Sequence, residues 1–224
     1  MKVIDGGVTA PKGFLAASTA AGIKYKDRSD MAMIYSTVPC KAAGTFTTNV
    51  VKAAPVLYDK KIVTESKSVQ AVVVNAGIAN ACTGAEGFGY CEDTAKKAAA
   101  ELNIAEDAVL VASTGVIGMQ LPIQKLEAGV KVMAKELSDT REAAHQAACA
   151  IMTTDTISKE VAVTFEAGGK TVTVGGMCKG SGMIHPNMCT MLGFVMTDAA
   201  ISKELLQEAL SADVCDLSLI HISE

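Results

Sequence analysis

The sequence predicts a mixed α/β layered fold, and three observations support this class. Two strand-length apolar runs are uninterrupted, as in strands that are buried on both faces. Several longer segments repeat apolar residues at helical spacing. Half of the 224 residues are hydrophobic, but only 4% are aromatic. Because small residues let backbones approach closely, this composition suits stacked layers of sheet and helix.

The first half of the chain alternates strands and helices. Met31–Ser36 and Gly44–Val50 are short runs typical of strands. Val69–Asn75 contains an unbroken apolar stretch and predicts a buried strand, and Ala108–Ala112 predicts a second one. Between these two strands, Glu92–Asn103 predicts a helix, because its alanines fall on one stripe.

The second half begins with two helices and a hairpin. Pro122 suits the start of a helix, and a further helix is predicted over about Thr140–Met152. Two alternating strands, Glu160–Phe165 and Thr171–Val174, flank a short segment with two glycines. This pattern predicts a β-hairpin.

A glycine-rich loop over Gly175–Gly182 follows the hairpin and leads to the apolar run Thr190–Met196. Ser202 can then cap a last helix. Strands and helices alternate without a repeating βαβ register, so we predict a mixed rather than a doubly wound arrangement.

Charge and hydropathy exclude several classes of protein. The formal net charge of −4 argues against an electrostatic nucleic-acid binder. No apolar run approaches the roughly 18 residues of a membrane-spanning helix, and the N-terminus lacks the apolar region of a secretory signal. We therefore expect a cytoplasmic protein without a nucleic-acid or membrane partner.

The cysteines predict neither a disulfide scaffold nor a metal site. The chain has seven cysteines, an odd number, and no two are spaced as Cys-x-x-Cys. The three histidines show no metal-ligand spacing with a cysteine. We therefore expect buried, reduced thiols and no bound metal.

Spacing alone leaves the candidate chemical residues open. Lys179 lacks the Gly-Lys-Ser/Thr context of a nucleotide loop, yet a lysine among glycines suits a carboxylate ligand. The pair Thr114–Gly115 is either a plain strand exit or two donors facing a site. Thr190 is an ordinary strand start by its context, and Cys189, the more obvious nucleophile, has no partner that the sequence places beside it.

Residues 179–192, KGSGMIHPNMCTML, resemble the processing motif of the ornithine acetyltransferase / glutamate N-acetyltransferase family. These enzymes of arginine biosynthesis cleave themselves to expose an N-terminal threonine. Further matches, all in family order, lie in residues 7–14, 27–32, 43–49, 75–84, 113–118, 152–156 and 175–177. The residue before the nucleophile is Cys189 where the family usually has Ala. The resemblance implies the layered sandwich fold that this family shares with N-terminal-nucleophile aminopeptidases.

The resemblance also implies residue roles. It implies cleavage between Cys189 and Thr190, with Thr190 as the nucleophile and Thr114 and Gly115 as the oxyanion hole. It further implies that the substrate is bound by Thr153, Lys179 and Thr190, with no metal. The activity implied is acetyl transfer from N-acetylornithine to glutamate through an acetyl-threonine ester. No cofactor is implied, and acetyl-CoA is an optional second acetyl donor.

Family members run to nearly twice this length, which implies a division of the chain. We expect residues 1–189 to form a complete α segment, residues 190–212 to begin a truncated β segment, and residues 213–224 to be a non-native tail. The resemblance implies the chain's own β chain as a partner in an α/β hetero-oligomer. Two alternatives stay open, an N-terminal-nucleophile aminopeptidase or amidase and an inactive fragment.

Overall fold

The computed structural model describes residues 1–180 and 191–216, without the side chains of the last two. These residues form a mixed α/β structure with two four-stranded sheets. In chain order the elements are β1 Lys2–Ile4, β2 Phe14–Thr19, β3 Met31–Cys40, α1 Ala54–Glu65, β4 Val69–Ile78, α2 Glu86–Leu102, β5 Val109–Val116, α3 Ile123–Lys135, α4 Arg141–Ala150, β6 Lys159–Ala167, β7 Lys170–Lys179, β8 Leu192–Thr197 and α5 Lys203–Asp216. The predicted fold class is confirmed.

The first sheet has the strand order β2-β3-β4-β5. Helix α2 connects β4 to β5, and these two strands run parallel. Side chains alternate across β4, so that Ala71 and Val73 face the core beneath α1, α2 and α3. Val72 and Val74 face the opposite core. Because β4 is buried on both faces, its sequence is a continuous apolar run rather than an alternating one.

Helix α4 packs against both sheets, since it contacts β2 and β3 on one side and β6 and β7 on the other. It begins where Thr140 caps it by accepting a hydrogen bond from the Ala143 N–H at 3.2 Å. Its inward residues Ala144, Ala147 and Ala148 are fully buried. Their small side chains allow a helix to lie close to two sheets at once.

The second sheet has the strand order β1-β6-β7-β8. The predicted hairpin is confirmed as β6 and β7, which pair antiparallel. Gly168 and Gly169 form its turn with φ values of +57° and +73°. Positive φ at both central residues matches the right-handed twist of the flanking strands and favours glycine.

Two sequence-based expectations are wrong. Residues 44–50 contain no strand. There the Thr47 hydroxyl and the Asn49 side chain accept hydrogen bonds from backbone N–H groups two residues on, and such local bonds compete with a ladder. Residues 175–179 are not a loop but the end of β7. A Cβ on Gly175 would lie 2.1 Å from the Gly7 carbonyl oxygen, so glycine serves here for close packing between backbones.

The elements that follow agree with the sequence. Strand β8, Leu192–Thr197, overlaps most of the predicted run 190–196, of which residue 190 is outside the described residues. The Ser202 hydroxyl accepts a hydrogen bond from the Leu205 N–H at 3.3 Å at the start of α5. Among the described residues, no helix combines the length and the apolar character needed to cross a membrane.

Candidate active site

Thr114 and Gly115 lie near the carboxyl end of β5, beside the carboxyl end of β4. In the parallel register Thr114 pairs with Ala76, and Gly115 pairs with Gly77. Strand β5 is the edge of its sheet in the described part of the chain, so its outer backbone groups have no neighbouring strand there. Such an edge can offer backbone N–H groups to a ligand.

Glycines shape this strand end. Gly77 and Gly115 have φ values of +110° and +133°, a region that side chains strongly disfavour. A Cβ on Gly115 would lie 2.2 Å from the carbonyl carbon of Gly77, and a Cβ on Gly77 would lie 2.8 Å from the Cβ of Lys24. The absence of a side chain at Gly115 therefore lets the ends of β4 and β5 approach closely, and its absence at Gly77 lets Lys24 and Tyr25 pack against β4.

A short loop connects this strand end to a second group of predicted residues. The ring of Tyr25 packs beside Gly77. The guanidinium of Arg28 lies over that ring, 4.6 Å from its centre, and donates a hydrogen bond to the Met152 carbonyl. Arg28 thus holds the start of the loop that contains Thr153 next to the ends of β4 and β5.

Asp155 is the centre of that second group. Its Oδ2 accepts a hydrogen bond from the Thr153 N–H at 3.0 Å and lies 3.3 Å from the Lys179 Nζ. Its Oδ1 lies 3.9 Å from the Lys159 Nζ. A Cβ on Gly180 would lie 2.5 Å from the same Oδ1, so the chain leaving β7 passes directly over the carboxylate.

The Asp155–Lys179 ion pair is buried. The side chain of Asp155 is 3% exposed and that of Lys179 is 7% exposed. Burial disfavours the charged carboxylate, but the Thr153 N–H and the Lys179 ammonium outweigh that effect and hold the pKa of Asp155 below its usual range. With Lys159 the cluster has two cations and one anion, which suits it to attract an anionic group.

The structure brings two of the predicted substrate-binding residues together, because Thr153 and Lys179 both contact Asp155. Thr114 and Gly115 lie in the other sheet, joined to this cluster through Tyr25 and Arg28. Cys189 and Thr190, the predicted cleavage point and nucleophile, lie outside the described residues. The strands on either side are described, and Lys179 of β7 is the register partner of Leu192 of β8.

The sequence predictions do not include Asp155, Lys159 or Arg28. Arg28 and Asp155 lie in stretches that carry the family resemblance, residues 27–32 and 152–156, and Lys159 lies three residues after the second stretch. Their pairing could not be read from spacing, because the contacts join the loop after α4 to the end of β7 and to the loop before β3.

A second carboxylate cluster lies on the other side of β6, away from these residues. Glu160 accepts two hydrogen bonds from the Arg141 guanidinium, at 2.9 and 3.1 Å, and lies 2.6 Å from the Nδ1 of His145. The Arg141 guanidinium also bonds Asp5 near β1. This network ties α4 to the second sheet. No group of three metal-binding side chains occurs within residues 1–180 and 191–216.

Comparison with known proteins finds a family model that matches most of this chain, and curated proteins with similar sequences. The model of the ArgJ family matches residues 15–222. Over 212 residues the chain is 52% identical to the arginine biosynthesis bifunctional protein ArgJ of Symbiobacterium thermophilum, an alignment of 94% of this chain and 52% of the relative. Over 214 residues it is 46% identical to the chloroplastic ArgJ of Oryza sativa subsp. indica, covering 95% and 46%. The chain thus spans about half the length of these curated relatives.

The solved structures that resemble this chain include proteins of the same kind as the curated relatives. A crystal structure of the arginine biosynthesis bifunctional protein from Bacillus halodurans has a TM-score of 0.79 at 41% identity, covering 86% of this chain and 97% of that one. Ornithine acetyltransferase from Mycobacterium tuberculosis, complexed with ornithine, has a TM-score of 0.76 at 41% identity, covering 85% and 99%. These solved chains are therefore shorter than this one, although the curated relatives are about twice as long.

The predicted fold likeness to N-terminal-nucleophile enzymes is confirmed at the level of fold alone. An L-aminopeptidase D-Ala-esterase/amidase from Ochrobactrum anthropi, described as a variant of the Ntn hydrolase fold, has a TM-score of 0.54 at 11% identity. It covers 93% of this chain and 67% of that one.

Proposed function

Because the chain belongs to the ArgJ family, we propose that it is part of a cytoplasmic enzyme that transfers an acetyl group from N-acetylornithine to glutamate in arginine biosynthesis. The acetyl group would be carried on Thr190, with acetyl-CoA as an optional second donor and no metal or other cofactor. The working enzyme would consist of an α chain ending at Cys189 and a β chain beginning at Thr190.

Self-cleavage would come first. The Thr190 Oγ attacks the Cys189 carbonyl carbon, the peptide C–N bond breaks, and the acyl group moves from nitrogen to oxygen. Water then hydrolyses that ester and leaves a free α-amine on Thr190. An α-amine titrates at about pH 7.7–8.0, so at working pH it can accept the proton of its own hydroxyl. An internal threonine has no such base.

Acetyl transfer would follow in two steps. The Thr190 Oγ attacks the acetyl carbonyl carbon of N-acetylornithine while the α-amine takes the hydroxyl proton. The amide C–N bond breaks, the proton passes to the leaving amine, and ornithine departs. The amine of glutamate then attacks the acetyl-threonine ester and regenerates the hydroxyl, which makes the cycle ping-pong.

The described residues support distinct roles in this cycle. Thr114, which is half-buried, and Gly115, which is exposed, lie near the end of an edge strand, where donors can stabilise the oxyanion of both tetrahedral intermediates. Lys179 can bind the substrate carboxylate, since an ammonium carries three N–H donors. Thr153 lies close to Lys179, because its N–H and the Lys179 ammonium both contact the Asp155 carboxylate.

The observation that carries the proposal is the register of β7 with β8. Lys179, a buried ammonium, is the partner of Leu192, which follows Thr190 by two residues. The cation thus lies opposite the first residue of a strand that begins two residues after the candidate nucleophile in sequence. The short solved chains beside long curated relatives are what a family of cleaved proteins would give.

The test uses a full-length protein that contains this sequence and is as long as the curated relatives. Denaturing mass spectrometry should find two chains that separate between Cys189 and Thr190, and the purified protein should convert N-acetylornithine and glutamate to ornithine and N-acetylglutamate. Thr190→Ala should abolish both cleavage and transfer, whereas Thr154→Ala, an exposed neighbour of Thr153, should leave both intact. Transfer that persists in Thr190→Ala would overturn the proposal, and hydrolysis of N-acetylornithine without transfer would favour an amidase.

A further inference from the structure

Asp155 lies at the centre of this cluster, but neither the sequence predictions nor the proposed function gives it a role. We propose that Asp155 is a positioning residue that orients the Lys179 ammonium and the Thr153 loop to receive the carboxylate of the substrate. This inference rests on the proposed function for the identity of that substrate. It concerns a carboxylate that touches the substrate-binding groups rather than the substrate.

One oxygen of Asp155 fixes both groups. Its Oδ2 accepts the Thr153 N–H at 3.0 Å and lies 3.3 Å from the Lys179 Nζ. A lysine side chain has a long flexible stem, and its ammonium is strongly hydrated when nothing holds it. The Lys179 side chain is only 7% exposed, so its ammonium has lost most of its hydration. The buried carboxylate beside it compensates its charge.

The donors of Lys179 can be accounted for. Its ammonium carries three N–H groups. One donates to the Gly180 carbonyl at 2.8 Å, and a second faces the Asp155 Oδ2. Among the described residues these are its two acceptors, so the third N–H is the one that can meet a ligand. Its direction is set by the other two contacts.

Asp155 also touches the chain that leads toward Thr190. A Cβ on Gly180 would lie 2.5 Å from the Asp155 Oδ1 and 2.8 Å from the Lys159 Nζ. With glycine at this position the backbone passes close to the carboxylate without displacing either side-chain end. The same carboxylate thus contacts the Thr153 N–H and the Lys179 ammonium, and it lies next to the first residue after β7.

Lys159 keeps the site attractive to an anion. Its Nζ lies 3.9 Å from the Asp155 Oδ1, and its side chain is 22% exposed. Without it, Asp155 would neutralise Lys179, and the pair would have no net charge with which to draw in a carboxylate. With it, Asp155 can orient Lys179 while the cluster stays cationic.

Asp155→Asn tests the proposal, with Glu160→Gln as the matched control. Both changes remove one carboxylate charge close to β6, but Glu160 contacts Arg141 and His145 on the other side of the strand. In the full-length protein, Asp155→Asn should lower kcat/KM for N-acetylornithine by about 100-fold, the scale expected when a substrate is misplaced by about 1 Å. For N-acetylputrescine, the same amide without its carboxylate, kcat/KM should stay unchanged. Glu160→Gln should leave both values unchanged.

An equal loss for both substrates in Asp155→Asn would overturn the proposal, because it would indicate general damage rather than lost carboxylate recognition. If Asp155→Asn does not fold, Asp155→Glu decides. It keeps the charge but moves the carboxylate by one methylene, and the positioning role predicts the same selective loss for the substrate that carries a carboxylate. Normal kinetics in Asp155→Glu would then contradict the role.

A second measurement does not depend on transferase activity. Reductive methylation of lysine amines, followed by mass spectrometry, reports how accessible each ammonium is in the 224-residue chain. Asp155→Asn should speed methylation of Lys179 at least about tenfold, equivalent to about 1.4 kcal/mol, and Glu160→Gln should not. If the wild-type protein transfers no acetyl group, the proposed function fails, while this measurement still decides whether Asp155 holds Lys179. An unchanged Lys179 rate would overturn the inference.

Discussion

The pKa values of two buried carboxyl groups, Asp59 and Asp155, are shifted in opposite directions. Asp59 of α1 lies beneath the edge strand β5 and accepts the Val111 N–H at 2.9 Å. Burial raises its pKa from 3.8 to about 8, more than that hydrogen bond lowers it. Asp155 is also buried, but the Thr153 N–H and the Lys179 ammonium hold its pKa below the usual range.

The difference shows what keeps a charge inside this fold. A single backbone N–H does not offset the loss of hydration at Asp59, so that group is mostly protonated at neutral pH. At Asp155 a cation is added, and the carboxylate stays ionised. The edge of β5 is therefore held by backbone fit and a largely neutral side chain, whereas the end of β7 is held by charge.

The largest effect is expected from removing the cation. Lys179→Met should destabilise the chain by about 3–5 kcal/mol, because it leaves the Asp155 carboxylate buried beside only the more distant Lys159. The loss should shrink at acidic pH, where the carboxyl of the variant is protonated. Urea unfolding of the 224-residue chain measures both.

Lys159→Met is the matched control. Its ammonium lies farther from Asp155 and is more exposed, so its removal should cost less than about 1 kcal/mol. Adding Asp155→Asn to Lys179→Met should recover much of the loss, because no uncompensated charge is then buried. If Lys179→Met and Lys159→Met cost the same, charge does not hold the end of β7.

A smaller effect is expected where backbone fit decides. Gly115→Ala should cost about 3 kcal/mol, because alanine is strained at φ +133° and its Cβ would overlap the backbone of Gly77. Gly118→Ala is the control. It also has a positive φ, +76°, but no atom lies within 4 Å of its Cβ position. The difference in free energy of unfolding isolates the close approach, and equal losses would show that the two strands can separate without cost.

Asp59 should make the stability of the chain depend on pH. Between its ordinary pKa of 3.8 and its folded pKa of about 8, the folded state binds a proton that the unfolded state has lost. Stability should therefore fall as pH rises through this window, by at most about 1.4 kcal/mol per pH unit. In Asp59→Asn this fall should disappear, because the amide does not ionise and its oxygen still accepts the Val111 N–H.

Urea unfolding at about pH 5 and at about pH 8.5 measures the change, because most of the window lies between these two values. Glu65→Gln, an exposed change on the same helix, should keep the wild-type pH dependence. A wild-type chain that gains stability between these two pH values would contradict the assignment.

How far the fold could be predicted depends on how local each signal is. The apolar run of β4, the alanine stripe of α2 and the glycine turn between β6 and β7 are set by neighbouring residues, and each was predicted. The parallel pairing of β4 with β5 was not predicted, because it depends on where α2 returns the chain. The glycines at the end of β7 predicted a loop, because the backbone of Gly7 that they accommodate is distant in sequence.

The candidate site follows the same rule. Lys179 could be singled out because a lysine among glycines is unusual. The strand exit at Thr114 and Gly115 left two interpretations open until the resemblance gave these residues a role, and Thr153 came from the resemblance alone. Asp155 could not be assigned a role, since a carboxylate in a polar loop has many uses and its partner is distant in sequence. Ion pairs that join distant segments need the fold before they can be read.

The ladder between β7 and β8 has a consequence for a cut chain. Six register pairs, from Val174 with Thr197 to Lys179 with Leu192, join the strands on either side of residues 181–190. Asp198, just after β8, adds hydrogen bonds from the Thr173 and Lys12 N–H groups. A peptide bond broken between Cys189 and Thr190 would leave all of these bonds in place. The sheet would hold the two pieces together, so they would elute as one particle in size-exclusion chromatography until a denaturant separates them.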